Sequence, residues 1–261
     1  MLRVDSLGRI KEEIKMQSFY LTDTGKVREH NEDNVIVLEN EKREVILAVA
    51  DGMGGHKAGE VASAIVINHL TEEFYGLDSV GDKESAIEFL RNIVTEMNQK
   101  IFEYTKENPD SKGMGTTFVC AIKTNDYLLY GNIGDSSGYV IKKNKLHKVT
   151  KDHTLVNLLV STGELTQEEA KYHPRKNVLM RALGANNPID IDIFDVETKI
   201  DGILLCSDGL TNMLTEEQIE KVLMEEDTAE DAVKKLINKA NARGGNDNIS
   251  VAYLKKESGD L

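Results

Sequence analysis

Short runs of apolar residues alternate along the chain with longer stretches of helical periodicity. Apolar runs bounded by turn-forming residues are typical of buried β-strands. The pattern predicts strands at 34–38, 44–50, 116–122, 126–134, 138–143, 191–198, 201–209 and 248–254.

Four other stretches place apolar residues at the three- and four-residue spacing of an amphipathic helix. The predicted helices are 58–74, 87–104, a segment that follows Thr215, and 229–245. Thr215 with Gln218 forms a capping-box pattern, which marks a helix start. Thr166 with Glu169 repeats this pattern and predicts a further short helix.

Short turns, rather than helices, connect several of the predicted strands. Gly134-Asp135 and Lys143-Asn144 lie near two of these turns. A parallel sheet needs a crossover, usually a helix, between paired strands. We therefore expect antiparallel sheets with helices packed outside them.

The domain organisation is predicted to be simple. The 261-residue chain has no internal repeat and no linker rich in proline, glycine or serine. One domain is predicted over 16–256, with an N-terminal extension of uncertain status (1–15) and a tail (257–261).

Composition and charge exclude several classes of protein. The net charge of −13 argues against nonspecific nucleic-acid binding, which requires clustered cations. Cys120 and Cys206 lie in apolar runs and are interpreted as small buried side chains, as is usual in a reducing cytoplasm. The apolar runs are far shorter than the roughly 20 residues that span a membrane. The N-terminus has no secretion-signal pattern, so a cytoplasmic location is expected.

Four carboxylates share one position relative to the predicted strands. Asp51, Asp135 and Asp208 follow apolar runs, and Asp247 directly precedes one. Each alone could be an ordinary turn residue. If the four converge, they repel one another unless cations lie between them. Oxygen ligands favour Mg²⁺ or Mn²⁺, and two such ions about 3.5–4 Å apart can activate water for attack on phosphorus.

A charged segment, 22–34, precedes the first predicted strand and contains Arg28, Glu32 and Asp33. A guanidinium group can bind a phosphate dianion through two parallel hydrogen bonds. Taken alone, this segment could equally be a solvated loop.

Together, these segments resemble a known family. The ordered motifs TDTGKVREHNEDN, VADGMGGHKAGEVAS, GNIGDSSGYV, LLCSDGLTNML and GGNDNISV resemble the metal-dependent type-2C (PPM) serine/threonine protein phosphatases, in particular their bacterial branch. The resemblance covers about 18–254. It implies an α+β fold, a four-layer αββα sandwich of two central antiparallel β-sheets flanked by helices. A flap subdomain is implied at about 151–184.

The same resemblance implies a metal centre with two core Mn²⁺ or Mg²⁺ ions. Asp51 would bridge these ions, and the backbone carbonyl of Gly52 would reach one of them. Asp208 and Asp247 would bind the other ion. Asp135 would hold a third, weaker ion together with Asp208.

Further roles around the metals follow from the resemblance. Glu32 would contact the site through water, Asp33 would support it from the adjacent position, and Arg28 would bind the substrate phosphate. Met53 stands where some family members have a histidine that can act as general acid. The leaving oxygen would then be protonated either by metal-bound water or by His56, and both remain open.

The implied function is the hydrolysis of phosphoserine and phosphothreonine in proteins by in-line attack of a metal-bridged hydroxide. The implied partners are a membrane Ser/Thr kinase and its phosphoprotein substrates, and a monomer is expected. One alternative is a phosphoprotein-binding module without catalysis. Another is a phosphatase acting on a small phosphate ester or on a phosphorylated regulator of a sigma factor.

Overall fold

The computed structural model describes residues 2–4, 10–12, 15–55 and 58–257. Its strands are β1 (Leu2–Val4), β2 (Ile10–Glu12), β3 (Met16–Asp23), β4 (Asp33–Glu39), β5 (Val45–Met53), β6 (Gly115–Thr116), β7 (Phe118–Lys123), β8 (Leu128–Ile133), β9 (Ser137–Lys142), β10 (Lys145–Lys148), β11 (Asp192–Val196), β12 (Gly202–Cys206) and β13 (Ile249–Lys256). Its helices are α1 (Ala58–Gly76), α2 (Lys83–Glu107), α3 (Leu155–Ser161), α4 (Gln167–Tyr172), α5 (Asp208–Thr211), α6 (Glu216–Glu225) and α7 (Ala229–Ala242).

Two antiparallel sheets form the centre of the domain. One has the order β10-β9-β12-β13-β3, and the other has the order β11-β8-β7-β5-β4 with β6 beside β5. Helices α1 and α2 pack on the outer face of the β5-containing sheet, and α5, α6 and α7 pack on the outer face of the other. A third core lies between the sheets. The four-layer αββα sandwich is therefore confirmed. The short strands β1 and β2 pair with each other.

Burial on both faces explains the continuous apolar runs of the central strands. In β5, Ile46 and Ala48 contact the helical layer, whereas Leu47 and Val49 face the opposite sheet. Successive side chains point to opposite faces of a strand. A strand sandwiched between two apolar layers therefore needs an apolar residue at every position.

Hydrogen bonds at the helix starts follow the sequence pattern closely. The capping boxes predicted at Thr166 and Thr215 are both present and begin α4 and α6. Asp82 caps α2 by accepting a hydrogen bond from the backbone N–H of Ser85 (2.8 Å). Such caps satisfy amide groups that have no partner inside the helix.

Strand β3 and helix α3 are among the elements that were not predicted from the sequence, as are β1, β2 and α5. Strand β3 forms an edge of its sheet through pairing with β13. Its side chains alternate between half-buried and exposed, so it lacks the apolar run used to recognise the other strands. Helix α3 lies in the predicted flap and has only seven residues, too few to establish a clear periodicity.

The cysteine interpretation is confirmed, since Cys120 and Cys206 are both free and buried. Burial raises the pKa of each thiol to about 12, so neither is a ready nucleophile. None of the described helices combines the length and apolar character needed to cross a membrane.

Candidate active site

A cleft of about 500 Å³ opens at one edge of the sandwich. The predicted site residues that line it are Arg28, Glu32, Asp51, Gly52, Asp135, Asp208 and Asp247. Asp33 lies close to these carboxylates and is only 4% exposed. His56 lies outside the described residues, and no histidine lines the described part of the cleft.

Asp33 and Asp51 are direct neighbours on paired strands, β4 and β5. Asp33 Oδ2 accepts a hydrogen bond from the hydroxyl of Ser207 (2.7 Å), whereas no described protein group donates to its Oδ1. Burial raises the pKa of Asp33 to about 7, with further contributions from Asp208 and Asp247. A buried carboxylate with a vacant acceptor is a costly group unless a positive charge or a proton is near.

Asp51 lies beside several other carboxylates. Burial, followed by the charges of Asp33 and Asp208, raises the pKa of Asp51 well above its usual value. Burial and the charge of Asp208 likewise raise the pKa of Asp135 to about 7. The donor set consists of oxygen atoms whose negative charges are not balanced within the cluster. These residues therefore fit the requirements of hard divalent cations such as Mn²⁺ and Mg²⁺.

Arg28 is the cation at the edge of this cluster. Its Nη2 lies 2.8 Å from Asp247 Oδ2, and the other oxygen of Asp247 accepts the backbone N–H of Asn248. The Arg28 side chain is 50% exposed. Because it is held at one point and is open to solvent, the guanidinium group can also contact an anion that enters the cleft.

The loop between β3 and β4 is fixed by a residue that the sequence analysis did not single out. Asn248 Oδ1 accepts the backbone N–H of Glu32 (2.8 Å). Asn248 Nδ2 donates to the backbone carbonyls of Thr24 and His30 (2.9 Å each). These bonds position Arg28 and Glu32 relative to Asp247. The signal was present, since Asn248 lies inside the motif GGNDNISV.

Two hydroxyl groups link Asp51 to the loop that carries Asp135. The backbone N–H of Asp51 donates to Thr117 Oγ1 (2.9 Å), and Thr117 Oγ1 lies 2.7 Å from Ser136 Oγ. Thr117 also lines the cleft. Neither hydroxyl was predicted, because the contact joins residues from two different strand ends.

Gly52 is explained by packing rather than by the approach of a metal ion. A Cβ atom at this position would lie 2.1 Å from the carbonyl oxygen of Gly59 and 2.5 Å from that of Glu32. The start of α1 therefore passes too close for any side chain at residue 52. This packing alone accounts for a glycine at position 52. Whether its carbonyl binds a metal stays a prediction.

The predicted flap supplies the wall opposite the carboxylates. Its residues in the cleft include Leu179, Met180 and Arg181. Arg181 Nη1 donates to Asp192 Oδ1 (2.6 Å), which ties this wall to β11. Arg181 was not predicted as a site residue, because its sequence neighbours carry no motif of their own.

The fold and the carboxylate cleft define a metal-dependent hydrolase. The chain matches the family described as Protein phosphatase 2C over residues 25–251, and it belongs to this family.

Named relatives agree with that assignment. The serine/threonine phosphatase stp of Listeria monocytogenes is 41% identical over 243 residues, which is 93% of this chain and 96% of the relative. The protein phosphatase PhpP of Streptococcus pneumoniae is 34% identical over 248 residues, covering 94% of this chain and 99% of the relative.

Solved structures share the fold. The Streptococcus agalactiae serine/threonine phosphatase superposes with a TM-score of 0.88 at 36% identity, covering 93% of this chain and 100% of that one. The catalytic domain of the serine/threonine protein phosphatase PstP, in complex with two manganese ions, has a TM-score of 0.81 at 34% identity, with 93% and 99% of the two chains covered.

Proposed function

We propose that this chain hydrolyses phosphoserine and phosphothreonine in proteins as a metal-dependent phosphatase. The observation that carries the proposal is the convergence of buried carboxylates with one open guanidinium group in a single cleft. The named relatives described as serine/threonine phosphatases support the same substrate class.

The proposed metal ligands are the carboxylates of Asp51, Asp208 and Asp247 together with the carbonyl of Gly52. Mn²⁺ or Mg²⁺ fits this oxygen set equally well. Asp135, beside Asp208, is proposed to hold a third ion. When bound, the ions supply charge neutralisation and an activated water for in-line displacement at phosphorus.

The protein residues have separate proposed tasks. Arg28 binds two of the phosphate oxygens, and its contact with Asp247 keeps it at the edge of the cleft. Glu32 would contact the metals through water. Asp33 would support Asp208 through the adjacent Ser207, whose hydroxyl donates a hydrogen bond to Asp33. Met53 lines the cleft and has no proton to donate. His56 therefore stays a proposed source of the leaving-group proton, with metal-bound water as the alternative.

The flap supports a protein substrate rather than a small ester. It forms one side of the cleft and exposes apolar side chains, among them Met180 at 46%. A phosphorylated loop would contact this wall, whereas a small phosphate ester would reach only the carboxylates and Arg28. We propose that the physiological substrates are phosphoproteins of a membrane Ser/Thr kinase, which this enzyme opposes.

Phosphate release from a phosphothreonine peptide tests the proposal directly. Activity is expected with Mn²⁺, is expected to disappear with a chelator, and should return when Mn²⁺ is added again. Asp208→Asn should remove it, because one donor of the oxygen set is lost. Activity that survives both chelation and this substitution would contradict the proposal. Metal binding without turnover would instead favour a phosphoprotein-binding module.

A further inference from the structure

The catalytic cleft and a second cavity lie on either side of one short segment. We define this segment, residues 178–184, as the strap. The second cavity has a volume of about 760 Å³ and is lined partly by α3. Met180 and Arg181 line both cavities. A protein substrate that moves the strap would therefore also affect residues that line the second cavity, among them His153.

His153 bonds to both backbone polar groups of Gly134, the residue that precedes Asp135. Its backbone N–H donates to the carbonyl oxygen of Gly134 (2.9 Å), and its ring Nδ1 accepts the backbone N–H of Gly134 (3.1 Å). An Nδ1 that accepts from a backbone amide carries no proton, so the neutral ring carries its proton on Nε2. Gly134 has φ of +104°, a backbone conformation that residues other than glycine rarely adopt.

The other ring nitrogen of His153 faces β11. His153 Nε2 lies 3.2 Å from Asp192 Oδ2, and in this tautomer it donates to that oxygen. Asp192 Oδ1 accepts from Arg181 Nη1 (2.6 Å). Arg181 Nη1 also lies 3.4 Å from His153 Nε2. Since both nitrogens are donors, Asp192 is the acceptor that joins them.

Backbone hydrogen bonds also join the strap to His153 and to the neighbouring Leu155. The N–H of Met180 donates to the carbonyl oxygen of His153 (2.8 Å), and the N–H of Leu155 donates to that of Val178 (2.9 Å). At its far end the strap pairs through Leu183 with Thr116. His153 thus bonds to the Asp135 loop on one side and to the strap, directly and through Asp192, on the other.

We propose that His153 is a positioning residue that couples the strap to the loop carrying Asp135. A phosphoprotein that displaces the strap would then shift the carboxylate of Asp135 through this imidazole. The opposite side of that loop is held by the contact between Ser136 and Thr117, so movement at one side changes the position of the carboxylate. The effect of this coupling on catalysis rests on the proposed function, whereas the structural link between the strap and the Asp135 loop does not.

Two substitutions test the contacts of the two ring nitrogens of His153 separately. His153→Asn keeps an acceptor near the Nδ1 position and loses the group that reaches Asp192. His153→Gln keeps a donor near the Nε2 position and loses the acceptor that faces Gly134. The matched controls are His147→Asn and His147→Gln, because His147 is exposed on β10.

Amide hydrogen exchange of the metal-free protein measures the coupling. Asp192→Ala, a substitution on β11 that removes the acceptor shared by His153 and Arg181, is expected to speed exchange in 134–136 by about three- to tenfold, the range of one lost hydrogen bond. In the His153→Asn background the same substitution should add no further change, because the link is already broken. His153→Gln alone should speed exchange in 134–136, and the His147 variants should not.

Kinetics provide the second readout. His153→Asn should raise KM for a phosphothreonine peptide, whereas His147→Asn should not. His153→Gln should also weaken Mn²⁺ binding measured by calorimetry. Unchanged exchange in 134–136 after Asp192→Ala, or equal acceleration over the whole chain, would overturn the coupling. Because exchange is measured without metal or substrate, this result does not depend on the proposed activity.

Discussion

The carboxylate floor and the flap face each other across one cleft but are built in opposite ways. The floor consists of Asp33, Asp51, Asp135, Asp208 and Asp247. These residues lie at the ends or flanks of strands within the sandwich, where neighbouring hydroxyl and amide groups bond to several of them. Burial and mutual repulsion raise the pKa of most of them. The floor thus holds unfavourable charge in fixed positions.

The flap has little fixed structure of its own. Its helices α3 and α4 have seven and six residues, lengths at which isolated helices are unstable. Apolar side chains such as Tyr172 (79% exposed) and Leu158 (47% exposed) face solvent. From this comparison we expect that the floor sets the chemistry and that the flap contributes to the choice of substrate.

The largest effect is expected at the floor. Asp51→Asn should lower phosphatase activity by at least about a hundredfold, because even residues that only support a metal ligand are worth 10–100-fold. The same change should stabilise the metal-free protein by on the order of 1 kcal/mol, since it removes a charge that neighbouring carboxylates repel. Steady-state kinetics and thermal melting in chelator and in Mn²⁺ measure the two effects.

Asp126→Asn is the matched control for this prediction. Asp126 is an exposed aspartate in the turn between β7 and β8, so its replacement should alter neither activity nor melting temperature. If Asp51→Asn destabilised the metal-free protein, the floor would not be a strained cluster, and the contrast with the flap would fail.

The next largest effect concerns the packing beside the floor. Gly52→Ala should destabilise the protein by about 1–3 kcal/mol, the cost of overpacking, because the new Cβ atom meets backbone carbonyls that cannot rotate away. Gly55→Ala is the control, since nothing lies within 4 Å of the corresponding Cβ position. Urea denaturation measures both. Equal stability of the two variants would show that α1 can shift away from β5.

The sequence predicted the carboxylates of the floor better than it predicted the residues that hydrogen-bond to the floor and its loops. Asp51 and Asp208 could be found because each interrupts a long apolar run at its end. Asn248 and Thr117 could not be given roles, since their partners lie far away in the chain and meet them only through the sheet pairing. Strand β3 was missed for a related reason, because an edge strand needs only half-buried side chains.

The flap should respond to substrate size. Met180→Ala is expected to raise KM for a phosphothreonine peptide by about fivefold, the value of burying part of one methionine side chain. It should leave KM for p-nitrophenyl phosphate unchanged. Met224→Ala is the control, because Met224 is similarly exposed but lies on α6. An equal change for both substrates would mean that Met180 acts on the floor.

The smallest expected effect is a pH dependence carried by His153, where flap and floor meet. Burial and the positive charge of Arg181 lower the pKa of His153, while the carboxylates of Asp192 and Asp152 oppose this shift. The unfolded chain has a histidine pKa of about 6.5. As the pH falls, His153 is therefore protonated at a higher pH in the unfolded chain than in the folded protein. The stability associated with neutral His153 is present above this pH and is lost as the pH falls below it.

Urea denaturation in chelator at pH 7, 6 and 5 measures this effect as a difference between proteins. The wild type should lose more stability towards pH 5 than His153→Asn, because only the wild type has an imidazole that becomes protonated in this range. Four floor carboxylates, those of Asp33, Asp51, Asp135 and Asp208, have raised pKa values. Their protonation favours the folded state, so the sign of their contribution is opposite. Their contribution largely cancels in the difference, because both proteins retain them. Parallel curves for the two proteins would mean that His153 is not held neutral, and the link from the strap to the Asp135 loop would then lack its acceptor.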